Sequence, residues 1–126
     1  MNTPNPYNIY KQNSVNMASS QQLLLMLLDG AVKYTKIARL CIINKDIPRA
    51  HKELVRVQDI FLELMITMDK STQYMQDMYN IYDFIKNQLS QANIKKDVKI
   101  IEDTLVLIEE VRDLWYEVNK KVQSDK

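Results

Sequence analysis

Apolar residues recur at spacings of three and four along four separate segments of the chain. This period matches one face of an α-helix and not the strict alternation of a half-buried strand. The spacing predicts helices at about 20–43, 47–69, 72–91 and 97–122. The links between them are short and polar, so consecutive helices should run antiparallel. We therefore predict an all-α protein, an antiparallel up-and-down four-helix bundle.

Residues suited to helix starts support this division. Asp46 can accept a hydrogen bond from a first-turn backbone N–H of the second helix, and Pro48 is tolerated there because those N–H groups lack helical partners. Asp97 can cap the fourth helix in the same way, and Ser19 or Ser20 the first. One glycine and three prolines are too few for the turns that a sheet protein needs.

The predicted bundle occupies residues 20–122, between an extended N-terminal segment, residues 1–19, and a short C-terminal tail, residues 123–126. Up to residue 28 the chain has one charged side chain, Lys11, among several apolar and aromatic ones. A solvated tail is usually charged or rich in glycine and serine. We therefore expect residues 1–19 to dock on the bundle, either part of the time or as a fixed cap, and composition favours neither.

Composition and charge exclude several classes of protein. The chain is 46% hydrophobic and 26% charged, close to the average soluble domain. Seventeen Lys and Arg against sixteen Asp and Glu give a formal charge of +1, whereas nucleic-acid binding needs a clustered basic face. No apolar stretch approaches the roughly 20 residues that span a bilayer, and the first residues lack the pattern of a secretory signal. We expect a cytosolic protein without nucleic acid or membrane insertion.

Catalytic and metal-binding chemistry lacks candidates in this sequence. His51, the single histidine, is expected on an exposed polar face, and Cys41, the single cysteine, falls in the apolar rhythm of the first helix. A buried structural thiol is the expected role for Cys41. The sequence has neither the Glu-x-x-His pairs of diiron bundles nor a Gly-rich phosphate loop. We expect no enzymatic activity, no cofactor and no metal.

Two predicted helices have more apolar residues than one core-facing stripe requires. The first has Leu23, Leu25 and Met26 beyond its core positions. The third is apolar or aromatic around most of its circumference, at Tyr74, Met75, Met78, Tyr79, Ile81, Tyr82, Phe84 and Ile85. Surplus apolar faces on a small bundle are typical of partner or oligomer surfaces. The residues therefore favour either a binding module for another polypeptide or a helical homodimeric adaptor.

Several short motifs follow one another in a characteristic order. A tyrosine and a valine precede an Ala-Ser turn and a leucine-rich helix ending in Asp-Gly-Ala, at Tyr10, Val15, Ala18, Ser19 and residues 23–31. Later motifs are Gln58-Asp59-Ile60, Ile81-Tyr82-Asp83-Phe84, Ala92-Asn93, and Arg112 with Trp115. Together they resemble the flagellin export chaperones of the FliS family over essentially the whole chain. The sequence departs from the family pattern at Met17, Ser20 and Leu28, where threonine, proline and tyrosine are common.

The resemblance implies a cytosolic type III flagellar export chaperone that binds the C-terminal region of flagellin. Such a protein prevents premature polymerisation and keeps its cargo export-competent, and in this family the N-terminal segment shifts to uncover a groove. Export-gate components and flagellar regulators are further expected partners, and the protein is expected to be a monomer or a weak homo-oligomer. The predicted contact positions are Tyr7, Tyr10, Val15, Leu23, Leu27, Ile81, Tyr82 and Asn93. The alternative is a helical homodimeric adaptor or regulatory protein-binding module without a flagellin cargo.

Overall fold

A computed structural model describes residues 20–124, which form four helices without a strand in that part of the chain. The helices are α1 (Ser20–Ile43), α2 (Ile47–Ile66), α3 (Gln73–Lys95) and α4 (Val98–Ser124). Each helix packs on the one before it and α4 returns to α1, so the four enclose one core. The predicted all-α four-helix bundle is confirmed. The expected docking of residues 1–19 lies outside the described residues.

Helix starts follow the predicted caps. The side chain of Asp46 accepts a hydrogen bond from the backbone N–H of Arg49 at 3.4 Å, and Pro48 lies in the first turn of α2. Asp97 accepts from the backbone N–H of Lys99 at 2.8 Å. Both carboxylates satisfy N–H groups that have no partner within their helix.

Helix ends differ from the predicted bounds. Helix α2 ends at Ile66 instead of continuing to 69, and α3 continues to Lys95 instead of ending near 91. Helix α4 runs to Ser124, into the stretch predicted as a tail. Thr72 is the N-cap of α3, accepting from the N–H of Met75 at 3.2 Å, rather than its first residue.

The core draws large side chains from every helix. Its large apolar and aromatic members that are fully buried are Leu28, Leu54, Val57, Phe61, Tyr82, Ile85, Leu89, Ile101 and Ile108. Burying one such side chain contributes about 1.5–3 kcal/mol, so this cluster dominates the stability of the fold. Cys41 is buried, as expected. Leu25 is a correction: predicted as surplus, it is only 7% exposed, because α4 covers that side of α1 with Trp115 and Val118.

The antiparallel arrangement defines two ends of the bundle. The starts of α1 and α3 meet the ends of α2 and α4 at one of them. The opposite end, called the distal end below, has the links 44–46 and 96–97.

Candidate functional site

A cavity of about 440 Å³ opens at the end of the bundle where α1 and α3 begin. We call this cavity the groove. Its lining comes from all four helices and the link between α2 and α3: Ser20, Gln21, Leu23, Leu24, Leu27, Glu63, Leu64, Thr67, Met68, Asp69, Met75, Tyr82 and Trp115. Most of these side chains are apolar, so the groove suits apolar side chains of a partner better than a polar metabolite.

Two aromatic lining residues, Tyr82 and Trp115, form the floor of the groove, and two more, Tyr74 and Phe61, pack against them. The indole Nε1–H of Trp115 donates a hydrogen bond to the Tyr82 hydroxyl at 2.9 Å. Tyr74 meets the Trp115 ring edge-on with centroids 6.3 Å apart, and Phe61 packs on Tyr82 at 5.8 Å. Tyr82 is 1% exposed, and this burial raises the pKa of its hydroxyl above the ordinary value. These contacts hold the floor in one arrangement.

The walls of the groove are more adaptable than its floor. Leu23 and Leu24 project from the first turns of α1, while Met68 and Met75 face them from the α2–α3 side. Methionine side chains are unbranched and can repack around ligands of different shape. Such walls fit a partner segment with several apolar residues of varied size.

The rim of the groove is polar and acidic. Glu63 and Asp69 are its charged residues, and no Lys, Arg or His is among the lining side chains. Tyr116 donates a hydrogen bond to the carboxylate of Asp29 at 2.5 Å and ties α4 to α1 nearby.

A second, smaller cavity of about 30 Å³ adjoins the groove and shares Gln21, Leu24 and Trp115 with it. Leu25, Val118 and Asn119 complete its lining. The side-chain Oδ1 of Asn119 is buried there without a hydrogen-bond partner among residues 20–124.

The structure brings three of the predicted contact residues together. Leu23, Leu27 and Tyr82 all line the groove, although Leu27 and Tyr82 are buried and present only a small area to it. Ile81 lies outside the lining, half-buried against the core. Asn93 is close to the distal end, where its Nδ2 lies 3.0 Å from Nδ1 of His51.

The remaining predicted contacts, Tyr7, Tyr10 and Val15, lie outside the described residues. Sequence reasoning missed Leu64, Met68 and Met75 as site residues, and it named Trp115 as part of the family motif but not as a contact position. The signal available in the sequence was Trp115 itself, the single tryptophan of the chain, because tryptophan is enriched at binding surfaces where one side is apolar and the other polar.

Residues 20–124 offer little support for a metal site, a membrane span or a catalytic site. No group of three or more His, Cys, Asp or Glu side chains there could hold a metal ion. None of the four helices is long and apolar enough to cross a bilayer. Neither His51 nor Cys41 lines the groove.

Comparison with known proteins places this arrangement in a family. The family model described as Flagellar protein FliS matches residues 3–122. The flagellar secretion chaperone FliS of Bacillus subtilis (strain 168) is 34% identical over 122 residues, covering 97% of this chain and 92% of that protein. The proteins of the same name from Vibrio cholerae and Campylobacter jejuni are 27% and 29% identical, covering 86% and 90% of this chain and 85% and 90% of their own lengths. The chain therefore belongs to the FliS family of flagellar secretion chaperones.

Proposed function

We propose that this flagellar export chaperone binds the C-terminal region of flagellin in the cytosol, prevents its premature polymerisation and keeps it export-competent. Family membership supports the export role and implies binding rather than catalysis. The observation that supports an unfolded polypeptide as cargo is the groove, an apolar cavity of about 440 Å³ on a small bundle. An apolar surface of this kind needs a partner that covers it.

Magnitudes are consistent with a disordered cargo. Ordering such a segment costs roughly 2–5 kcal/mol of the gross interaction energy, beyond the general cost of association. Each leucine-sized side chain buried in the groove contributes about 1.5–3 kcal/mol. Several anchors are therefore needed to reach a micromolar Kd, which corresponds to about 8 kcal/mol. A helix or extended segment laid into the groove can supply them.

The direct test is titration of the full chain with a peptide of the flagellin C-terminal region. Trp115 is the single tryptophan and lines the groove, so its emission should shift as cargo binds. Leu23→Asp places a carboxylate in the groove wall and should weaken binding by about 100-fold or more, because a buried charge without a partner is costly. The fold should survive, since an acidic residue is favourable in the first turn of a helix.

Leu62→Asp is the matched control. Leu62 is 45% exposed on α2 and does not line the groove, so this variant should bind the peptide as the wild type does. If the wild type fails to bind, or if both variants bind equally well, the groove is not the cargo site. Light scattering separates the homodimeric adaptor, which would pair without peptide, from a one-to-one chaperone complex.

The N-terminal segment is proposed to compete with cargo. Residues 1–19 join the bundle at Ser20, which itself lines the groove. A tethered segment that closes about 99% of molecules would weaken apparent cargo affinity about 100-fold. Deleting residues 1–15 should then strengthen peptide binding or remove hydrogen-exchange protection from the groove. No change in either measurement would exclude competition by the N-terminal segment, but it would not contradict the proposal that cargo binds in the groove.

A further inference from the structure

Charge is unevenly distributed along the axis of the bundle. The guanidinium of Arg56 lies 4.5 Å from the centre of the Tyr34 ring, so these residues of α2 and α1 lie at the same level along the bundle axis. The parts of the four helices nearest the distal links, taken as residues 34–56 and 88–107, carry nine Lys and Arg against five Asp and Glu, a formal +4. The other described residues carry six against ten, a formal −4. A chain of almost neutral total charge is therefore strongly polarised, with its groove at the negative end.

The carboxylates of the distal half are already engaged. Asp46 and Asp97 cap helices, and the rest form ion pairs: Glu53 with Arg56, Glu102 with Arg39, and Asp103 with Lys99. Five exposed cations of this half have no carboxylate partner anywhere in residues 20–124: Lys36, Lys45, Arg49, Lys52 and Lys95. The distal end thus presents unneutralised positive charge.

Both distal links place a lysine in the left-handed backbone region. Lys45 has φ of 61° and Lys96 has φ of 50°. Glycine is the usual residue at such positions, because a side chain there crowds the backbone and lowers stability. Lys96 uses its Nζ to bond the Asn93 side chain at 2.7 Å, whereas the side chain of Lys45 has no such contact within residues 20–124. Position 45 is therefore occupied by a lysine although glycine would give a more stable fold.

Exposed aliphatic side chains lie among these cations. Ile43 and Ile47, 49% and 42% exposed, flank the link that contains Lys45. Ile94 is 73% exposed and adjoins Lys95, and Leu40 is 55% exposed one turn before Ile43. Lysines interleaved with exposed isoleucine and leucine are typical of surfaces that lie on anionic membranes.

We propose that the distal end of the bundle docks end-on to an anionic lipid surface, with the lysines at the headgroup phosphates and the aliphatic side chains in the interface. A planar surface can meet residues from three helices and a link at the same end of the bundle, whereas a peptide bound between two helices would reach only some of them. Docked in this way, the groove points away from the lipid and stays accessible. The contact is superficial and needs no spanning helix, and it does not depend on the identity of the cargo.

The experiment is sedimentation of the full chain with vesicles of phosphatidylcholine alone or mixed equally with phosphatidylglycerol. Binding is expected to the mixed vesicles only, and it should weaken as salt rises from about 0.05 M to about 0.5 M, because the Debye length shortens. Binding to neither vesicle, or equal binding to both, would overturn the proposal.

Two double variants change charge and apolar surface equally at opposite ends. The distal one is Ile94→Gln with Lys95→Gln, and the control is Ile66→Gln with Lys121→Gln. Ile66 is 68% exposed near the groove, and Lys121, like Lys95, is the basic residue in the last turn of its helix. The distal pair should lower vesicle affinity about tenfold or more and the control less than about twofold. Equal losses would mean that the end of the bundle is irrelevant.

Lys45→Gly separates a docking role from a structural one. It should raise the midpoint of thermal unfolding, since the left-handed backbone suits glycine, and lower vesicle affinity about fivefold. A rise in stability with unchanged vesicle binding would contradict the proposal. A last measurement uses soluble polyglutamate in place of vesicles. If polyglutamate binds the chain while anionic vesicles do not, the distal end recognises acidic polypeptide and not lipid.

Discussion

At the scale of single residues, the Tyr82 hydroxyl connects the core to the groove. It accepts the Trp115 indole hydrogen bond at 2.9 Å, although its own ring is almost fully buried. A buried phenol is neutral in the folded state because burial disfavours its charged form, and its pKa is accordingly raised. The same group in the unfolded chain releases its proton near pH 10.

Tyr82→Phe should therefore alter stability in a pH-dependent way. At neutral pH the loss of the hydrogen bond should cost about 0.5–1.5 kcal/mol. As pH rises above about 10, Tyr82 loses its proton in the unfolded wild type but keeps it in the folded state. This lowers the free energy of unfolding of the wild type, so that it approaches that of Tyr82→Phe. Urea unfolding at pH 7 and at higher pH measures this. Tyr74→Phe removes an exposed hydroxyl and should keep the wild-type slope; a constant difference between wild type and Tyr82→Phe would contradict the argument.

Gly30 is the chain's single glycine and lies inside α1. A Cβ added there would meet Tyr34 and Ile60 side-chain atoms at 3.6 and 3.7 Å, which is ordinary van der Waals contact. Gly30→Ala should therefore stabilise the fold by about 0.5–1 kcal/mol, since alanine loses less backbone entropy in a helix. Thermal unfolding followed by circular dichroism measures it, and a lower midpoint would show that α1 and α2 need a closer approach than the structure has.

Burial of individual residues could be predicted only where spacing alone decides it. His51 is exposed and Cys41 buried, as their positions in the apolar rhythm indicated. The prediction that Leu25 is surplus to the core was wrong, because spacing along one helix does not show how much of it a neighbouring helix covers. Ile81 is a similar case, since it is half-buried against the core and spacing along its own helix does not show how much of it the neighbouring helices cover.

At the scale of helices, starts were more predictable than ends. A start depends on a local side chain, such as Asp46 or Asp97, that bonds N–H groups two or three residues later. An end depends on where tertiary contacts stop. At the end of α2, the N–H of Thr67 donates a last helical hydrogen bond to the Glu63 carbonyl at 3.0 Å, and the chain then departs from the helix. Propensity does not mark that point.

Asp97→Ala tests the cap that starts α4. The Asp97 carboxylate accepts from the N–H of Lys99 at 2.8 Å and of Ile100 at 3.4 Å. Its removal should cost about 1 kcal/mol and lower the thermal midpoint by about 4 °C. Asp103→Ala, which removes an exposed carboxylate from the same helix, should cost much less because exposed ion pairs contribute little. Equal losses would show that overall charge, and not capping, matters.

At the scale of the whole molecule, the groove could not be predicted as a set of residues. It combines the start of α1 with the C-terminal part of α4, so that Leu23 and Trp115 line one cavity. Surplus apolar residues indicated that a binding surface exists, and the family resemblance indicated what kind of partner to expect. Only the packing of the helices and of the link between α2 and α3 brings Met68 and Met75 to that surface, and helical periodicity carries no information on that packing.

The same packing makes the bundle one cooperative unit, because a single core cluster includes residues of all four helices. Leu54 is fully buried in that cluster, so Leu54→Ala should cost about 2–5 kcal/mol. Leu62→Ala, on the same helix but 45% exposed, should stay within about 0.5 kcal/mol of wild type. Circular dichroism reports every helix and Trp115 emission reports the groove, and in each protein the two urea transitions should coincide. If Trp115 emission changed first, the groove end would open before the core, and the energy of cargo binding would then include the cost of forming that end.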